Sequence, residues 1–302
     1  MVFDKKTLVI PDDAQWEEHN IVTSGDVIIG DRADFGLGVI TEGRVFIGEN
    51  ARIGGNIAAK GDVHVDMWSQ VEGDVKCDND VFLADKVKIK GKLSVGKDLE
   101  LSDSAEIGKF EAKGWINVKS PVSLMIYIFL YILELMRQGK SQEVEMILNE
   151  LEEEDQEYII SDDFMFVPND SKIDLQRAEI KGNARFGKNC RVLGNYYVSG
   201  SLKVAMNTKF HGSIDAGGEI DIGPTTEIEG HLTCKGLARI EDSATVRGNI
   251  KAKRIELQKS AVVEGTVTAK EGVTFKTPEA VEVETKIERF ERGLDEVEAV
   301  LD

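Results

Sequence analysis

The feature that most constrains this 302-residue chain is an 18-residue spacing between equivalent glycine-led segments. One unit is the stretch Gly43 to Gly61, GRVFIGENARIGGNIAAKG. A fixed short period indicates that each unit cannot bury its apolar face alone and must stack on its neighbours. Six such segments begin 18 or, once, 17 residues apart at Gly25, Gly43, Gly61, Asn79, Lys97 and Gly114.

Within these coils, apolar residues recur every six positions in two rows. One row runs from Ile29 to Ile107 with Thr41 as its one polar member, and the other runs from Ala33 to Ala105. Two inward positions per six residues, separated by polar residues and glycines, are typical of short strands with bends between them. Three such strands would complete a coil, and strand pairing would stack the coils about 4.8 Å apart.

The second half of the chain repeats the first at a constant offset of 157, which carries Gly25 onto Gly182 and Pro11 onto Pro168. Six further segments begin at Gly182, Gly200, Gly218, Gly236, Lys253 and Glu271. We therefore predict a mostly β protein: two tandem β-helices of three short sheets, each with about six coils of 17–18 residues. Strands beside Pro11 and Pro168 would cap one end of each solenoid, with Trp16 covering the first coil.

Helices complete the predicted organisation. Ser120-Pro121 and Thr277-Pro278 each place a capping residue before a proline, which is typical of a helix start. We divide the chain into a first solenoid with its capping strand over 1–120, an α-hairpin insert over 121–160, a second solenoid with its capping strand over 161–277 and a C-terminal amphipathic helix over 278–302.

The first helix of the insert, over 122–136, is apolar on every face, so it must be buried in protein or in lipid. It is shorter than the roughly 20 apolar residues that a span needs and contains Glu134. Three interpretations stay open: packing over the end of the first solenoid, insertion into one leaflet, and docking on a membrane protein. The candidate membrane or partner contacts are Met125, Ile126, Phe129, Leu130 and Leu133. A second helix would follow over 142–156.

The C-terminal helix carries a short heptad seam, with apolar residues spaced alternately four and three apart. It would either pack on its own solenoid or pair with the same helix of another subunit. The residues of this possible helix-mediated association are Val283, Ile287, Phe290, Leu294, Val297 and Leu301.

Composition limits the class of partner. The formal charge of −18 argues against nucleic acid, since affinity for a phosphate backbone depends on Lys and Arg. The N-terminus lacks an apolar run of signal-peptide length, so we expect a cytoplasmic protein, with membrane association if the 122–136 helix contacts lipid. Cys77, Cys190 and Cys234 are far apart, and we interpret them as reduced core residues.

Coils built from three hexads also occur in hexapeptide-repeat acyltransferases, which need histidine as a base or as zinc ligands. Only His19, His64, His211 and His231 are present, and His211 and His231 miss an 18-residue register by two. No phosphate-binding loop or dinucleotide motif occurs. We therefore predict no enzyme activity, no metal site, no cofactor and no nucleotide. The acidic residues at coil corners, such as Asp62, Asp80 and Asp98, are interpreted as a solvated face.

The repeated line xVxGxIxA, as in Ile53-Gly-Gly-Asn-Ile57-Ala58, Val71-Glu-Gly-Asp-Val75 and Ile228-Glu-Gly-His-Leu232, resembles the repeat of bactofilins, the polymer-forming cytoskeletal proteins. The resemblance covers about 25–118 and 182–276. It implies a right-handed β-helix that polymerises end to end without nucleotide, often near a membrane. This chain departs from the family in having two solenoids, an apolar hairpin and a C-terminal helix.

The predicted function is therefore a non-enzymatic structural scaffold that binds itself through its solenoid ends or helices, as a homo-oligomer or filament. Independently of the resemblance, the last coil of a solenoid exposes strand edges and core that must be capped or paired. Two alternatives stay open: a hexapeptide-repeat-like acyltransferase, and a capped β-helix that serves as a non-polymerising interaction platform.

Overall fold

The computed structural model describes residues 5–137, 140 and 163–276. Over this part the chain is mostly β and forms a solenoid of about 13 turns, which confirms the predicted fold class. The domain limits proposed at residues 120, 160 and 277 stay predictions. The second helix of the insert, the C-terminal helix and its heptad seam lie outside the described residues.

The first half contains β1 (Thr7–Ile10), β2 (Gln15–Glu17), β3 (Asn20–Thr23), β4 (Asp26–Ile29), β5 (Asp34–Phe35), β6 (Gly38–Thr41), β7 (Val45–Ile47), β8 (Arg52–Ile53), β9 (Ile57–Ala59), β10 (Val63–Val65), β11 (Gln70–Val71), β12 (Val75–Cys77), β13 (Val81–Leu83), β14 (Lys88–Val95), β15 (Leu99–Ser102), β16 (Glu106–Ala112), β17 (Ile116–Lys119) and α1 (Pro121–Arg137).

The second half contains β18 (Phe164–Val167), β19 (Lys172–Ile173), β20 (Arg177–Ile180), β21 (Asn183–Phe186), β22 (Arg191–Leu193), β23 (Asn195–Val198), β24 (Leu202–Val204), β25 (Lys209–His211), β26 (Ile214–Ala216), β27 (Ile220–Ile222), β28 (Glu227–Ile228), β29 (Leu232–Cys234), β30 (Leu237–Ile240), β31 (Thr245–Val246), β32 (Ile250–Ala252), β33 (Arg254–Gln258), β34 (Val262–Val263), β35 (Val267–Ala269) and β36 (Val273–Lys276).

Equivalent strands of successive coils pair in parallel, 18 residues apart over most of each half. On one face, Val27 of β4 pairs with Val45 of β7, and Val45 pairs with Val63 of β10. The other two faces form similar ladders, and β14 runs through the corner between them with a bulge between Ile89 and Lys92. The three predicted short sheets therefore correspond to three strand ladders around each coil.

The predicted inward rows form the core. Members of both rows from Ile29 and Ala33 as far as Leu101 and Leu99 are buried, including the polar Thr41 and Ser69. Cys77, Cys190 and Cys234 are buried and free, as predicted. Small, mostly β-branched side chains on all three ladders fill the narrow interior, so the same alternation repeats in coil after coil.

The two halves form one continuous solenoid joined through their N-terminal strands, with the order β4, β18, β1, β21 at the junction. The lead-in strands are exchanged. β1 pairs in parallel with β21 of the second half, Thr7 opposite Asn183, and β18 pairs in parallel with β4 of the first half, Phe164 opposite Asp26. Each lead-in strand thus covers an N-terminal end, as the predicted capping role requires, but it covers the end of the other half.

Acidic corner residues connect successive coils, contrary to our expectation of a merely solvated face. The Oδ1 of Asp62 accepts the backbone N–H of Asp80 at 3.3 Å, Asp80 accepts that of Asp98 at 2.9 Å, and Asp98 accepts that of Trp115 at 2.7 Å. Asn183 does the same for Ser201 in the second half. A bend leaves backbone donors without a strand partner, and a short side-chain acceptor one coil earlier satisfies them.

Candidate assembly surfaces at the ends of the solenoid

The solenoid has two outer ends, and at both of them strand pairing stops. We name β16 and β17 end one, and β34, β35 and β36 end two. Within the described ranges, β17 pairs only with β15 and β36 only with β33, so neither has a second partner strand there. Unpaired edges are templates for pairing with another chain.

End one exposes a slice of the apolar core. Ile116 and Val118 of β17 are 49% and 58% exposed, whereas their partners Leu99 and Leu101 in β15 are 0% and 9% exposed. Phe110 of β16 pairs with the buried Leu93 and is itself exposed. These side chains continue the inward rows, and no further coil among the described residues covers them.

End two exposes the equivalent slice. Val273 and Phe275 of β36 are 39% and 70% exposed, and their partners Ile255 and Leu257 in β33 are buried. The two ends are therefore alike in construction: an open strand edge beside inward-facing apolar side chains. Clustered apolar side chains at a surface mark interaction sites more often than isolated ones do.

The end coils carry little net charge. The last coil of the first half, 103–119, has three acidic and three basic side chains, and the last coil of the second half, 259–276, has two acidic and three basic. Both end coils are thus close to neutral. Most of the chain's formal charge of −18 lies in the segments that follow them in sequence, 141–162 with nine acidic and no basic residues and 277–302 with nine acidic and three basic residues.

α1 follows end one directly. It begins at the predicted Pro121, two residues after β17 ends at Lys119. Of the predicted contact residues, Ile126, Phe129, Leu130 and Leu133 are exposed, and Met125 lies in the same helix. Among the helices that the structure describes, none is long and apolar enough to cross a bilayer. Whether these residues contact a membrane or a partner stays a proposal.

α1 leaves end one open. Its own Leu135 is buried, but Trp115, Ile116 and Val118 at the last strand of the solenoid are all exposed. One interpretation of the sequence placed this helix over the end of the first solenoid. The exposure of these three side chains does not support that interpretation.

The histidines do not converge. His64 points outward, as predicted, and stacks between Phe46 and Phe82 with ring centroids 5.0 and 4.5 Å away; burial there lowers the pKa of His64. His211 Nδ1 lies 2.8 Å from Glu229, and this hydrogen bond lowers the pKa of that carboxyl. His231 Nδ1 accepts the backbone N–H of Asn249 at 2.9 Å. These roles are structural, and no group of three metal-ligating side chains occurs among the described residues.

The cysteine thiols are protected by their positions in the core. Burial raises the pKa of Cys77 and of Cys190 to about 11, and it also raises the pKa of Cys234. Because the thiolate is the reactive form, these side chains behave as small apolar core residues.

Comparison with known proteins supports the interpretation of the repeat. A family model, Bactofilin, described as polymer-forming cytoskeletal, matches residues 175–283. No curated protein and no solved structure matches the chain. The matched segment begins beside β20 and includes every later strand of the second half. The resemblance predicted from the repeated xVxGxIxA line is confirmed for residues 175–283, which match the model of the bactofilin family.

Proposed function

We propose that this protein is a non-enzymatic cytoskeletal scaffold that assembles end to end through end one and end two, without nucleotide. One observation carries the proposal: the inward rows are buried along the solenoid and become exposed at both outer ends. The family of the second half is described as polymer-forming, which supports self-association. A second copy is the partner that fits best, because it supplies strands with the same coil spacing and the same inward rows.

The junction determines which ends meet. The halves are joined through their N-terminal strands, so both outer ends are formed by C-terminal coils. Parallel pairing between copies would need an N-terminal end to meet a C-terminal one. Contacts between copies would therefore pair strands antiparallel, as β1 and β18 already do inside the chain. Burial of the exposed core slices would supply the main favourable free energy.

The cytoplasm is the compartment we propose, and three free, buried cysteines are consistent with it. The acyltransferase alternative has no observation in its favour among the described histidines. The capped-platform alternative requires covered ends, and the exposure of Val118 and Phe275 weighs against it.

The test is assembly of the purified full chain, followed by negative-stain microscopy and sedimentation velocity with and without nucleotide. We expect filaments or stacked rods in both conditions. The double variant Val118→Glu with Phe275→Glu places a charge in each exposed slice and should abolish them. Ile40→Glu is the matched control, because Ile40 is an exposed apolar residue of β6, away from both ends.

Discrete monomers of the wild-type chain at high concentration would contradict the proposal and favour the capped platform. Filaments that persist in the double variant would place the contact elsewhere on the molecule. Thermal unfolding of each variant shows whether lost assembly reflects a lost contact or a lost fold.

A further inference from the structure

We infer that α1 is part of the assembly contact, and that end one binds end one of a second copy with the two α1 helices side by side. This inference rests on the proposed function and deepens it, because it names the partner surface and the pairing of the ends. The surface is the apolar stripe of α1, which we define as Ile126, Phe129, Leu130, Leu133 and Met136.

The stripe is continuous along the helix. Its residues are three, one, three and three positions apart, so they share one face of an α-helix. All five side chains are between 46% and 62% exposed; on the other side of the helix Leu135 is 4% exposed and Tyr131, four residues earlier, is 48% exposed. α1 therefore presents five large apolar side chains on one face.

Position links this stripe to end one. Only Ser120 separates the last strand of the solenoid from the first residue of the helix. At about 1.5 Å per residue, the stripe begins about 8 Å from the start of the helix and runs for about 15 Å. A second copy that covers Ile116 and Val118 in β17 would bring its own helix to the same contact, because each copy carries α1 at this end.

The open strand edge distinguishes a second copy from lipid. A bilayer would cover the stripe, but it offers no hydrogen-bond partners for the unpaired backbone groups of the nearby β17, and such groups are costly in an apolar environment. A second copy satisfies the edge and the stripe together. The stripe itself carries no charge, so like surfaces can meet there despite the charge of −18.

Two variants of the full chain distinguish pairing of each end with its own kind from pairing of end one with end two. Phe129→Glu with Leu133→Glu disrupts the stripe, and Phe275→Glu disrupts end two. If each end binds its own kind, sedimentation velocity should show that either variant stops at dimers, and that the combined variant is monomeric. The matched control is Ile40→Glu with Met206→Glu, which adds two charges at exposed apolar residues outside both ends and should leave filaments unchanged.

Cross-linking gives an independent readout. Leu130→Cys places a thiol in the stripe, whereas the native cysteines are buried. With a short bis-maleimide, end-one pairing predicts a covalent dimer that forms in assembled protein and disappears when the stripe is disrupted. A cysteine at Ile40 should not cross-link.

Several results would overturn the inference. Monomers from either single-end variant would show that end one binds end two. Unchanged filaments from the stripe variant, together with flotation on phosphatidylethanolamine/phosphatidylglycerol vesicles that only the intact stripe supports, would assign the stripe to lipid. In both cases the proposed function would stand, because the wild type still assembles. A wild-type chain that never assembles would instead overturn the proposed function and this inference together.

Discussion

Val9 and Phe166 lie directly opposite each other in the antiparallel pairing of β1 with β18, and they are equivalent residues of the two halves, 157 positions apart. A residue can face its own duplicate in this way only when a local two-fold axis passes between them. The neighbouring pairings obey the same symmetry: Gln15 pairs with Arg191, and Lys172 pairs with Asp34. The chain therefore contains, in one polypeptide, the arrangement of a two-fold dimer.

Because the lead-in strands are exchanged, we expect a destabilising substitution in one of them to increase hydrogen exchange in the opposite half. Leu8 of β1 is fully buried and lies beside Ala184 of β21. Leu8→Ala should lower the free energy of unfolding by about 2–5 kcal/mol, because it leaves a cavity in the core. Hydrogen exchange measured by mass spectrometry should increase first over 183–186. Faster exchange at 26–29 with no change at 183–186 would contradict the exchanged arrangement.

The close stacking of coils predicts that a methyl group at Gly43 is not tolerated. A Cβ there would lie 2.6 Å from the carbonyl carbon of Gly25 and 2.7 Å from the backbone nitrogen of Asp26. Overpacking of this kind typically costs about 1–3 kcal/mol. Gly43→Ala should therefore lower the melting temperature. At Gly108 the nearest atom to a Cβ is 3.0 Å away, so Gly108→Ala is the milder control. Equal effects of the two substitutions would show that close coil contact is not the cause.

The corner hydrogen bonds predict a difference between two substitutions at Asp98. Its Oδ1 accepts the backbone N–H of Trp115 at 2.7 Å. Asp98→Ala removes this acceptor and should cost about 1–3 kcal/mol, while Asp98→Asn keeps an acceptor oxygen and should cost much less. Urea denaturation measures both variants. If the two variants lose the same stability, charge rather than the hydrogen bond explains the role of Asp98.

His64 predicts a pH dependence of stability. Burial between aromatic rings lowers the pKa of His64 below its ordinary value, so the unfolded chain binds a proton at this site more readily than the folded one. This contribution to stability is present above the unfolded pKa of about 6.5 and is lost as pH falls below it. His64→Phe should keep the stacking and lose the titration. The melting temperature of the variant should therefore rise relative to that of the wild type from pH 7.5 to pH 5. A constant difference would contradict a role of His64 in the pH dependence.

Much of the fold could be predicted because the repeat is local. The hexad pattern identified the buried residues of both inward rows as far as Leu99 and Leu101, and the Ser-Pro pair identified the start of α1. The roles of the corner residues could not be predicted. An Asp with a polar neighbour looks the same in sequence whether it faces water or accepts an N–H from the next coil.

The exchanged junction could not be predicted for a similar reason. β1 and β18 have the same length and the same offset from the first coil, so either strand fits the N-terminal end of either half. The pairing depends on how the halves face each other, and periodicity carries no information about that. For the assembly surfaces, the sequence indicated that the ends of the solenoid need to be covered. Which residues of the inward rows are exposed at those ends could be seen only in the structure, where α1 leaves end one open.

The exchanged strands also set an order for folding during synthesis. β4 to β17 can stack as they leave the ribosome, but the strand that completes their N-terminal edge, Phe164–Val167, is made only after the whole first half. β1, among the first residues made, has no parallel partner strand until Asn183–Phe186 emerges. Throughout that interval the nascent chain has both an open edge at β4 and a lead-in strand, β1, without its parallel partner. Neighbouring nascent chains on one mRNA could therefore exchange strands with each other. Translation rate across the insert then becomes a determinant of whether each chain closes on itself.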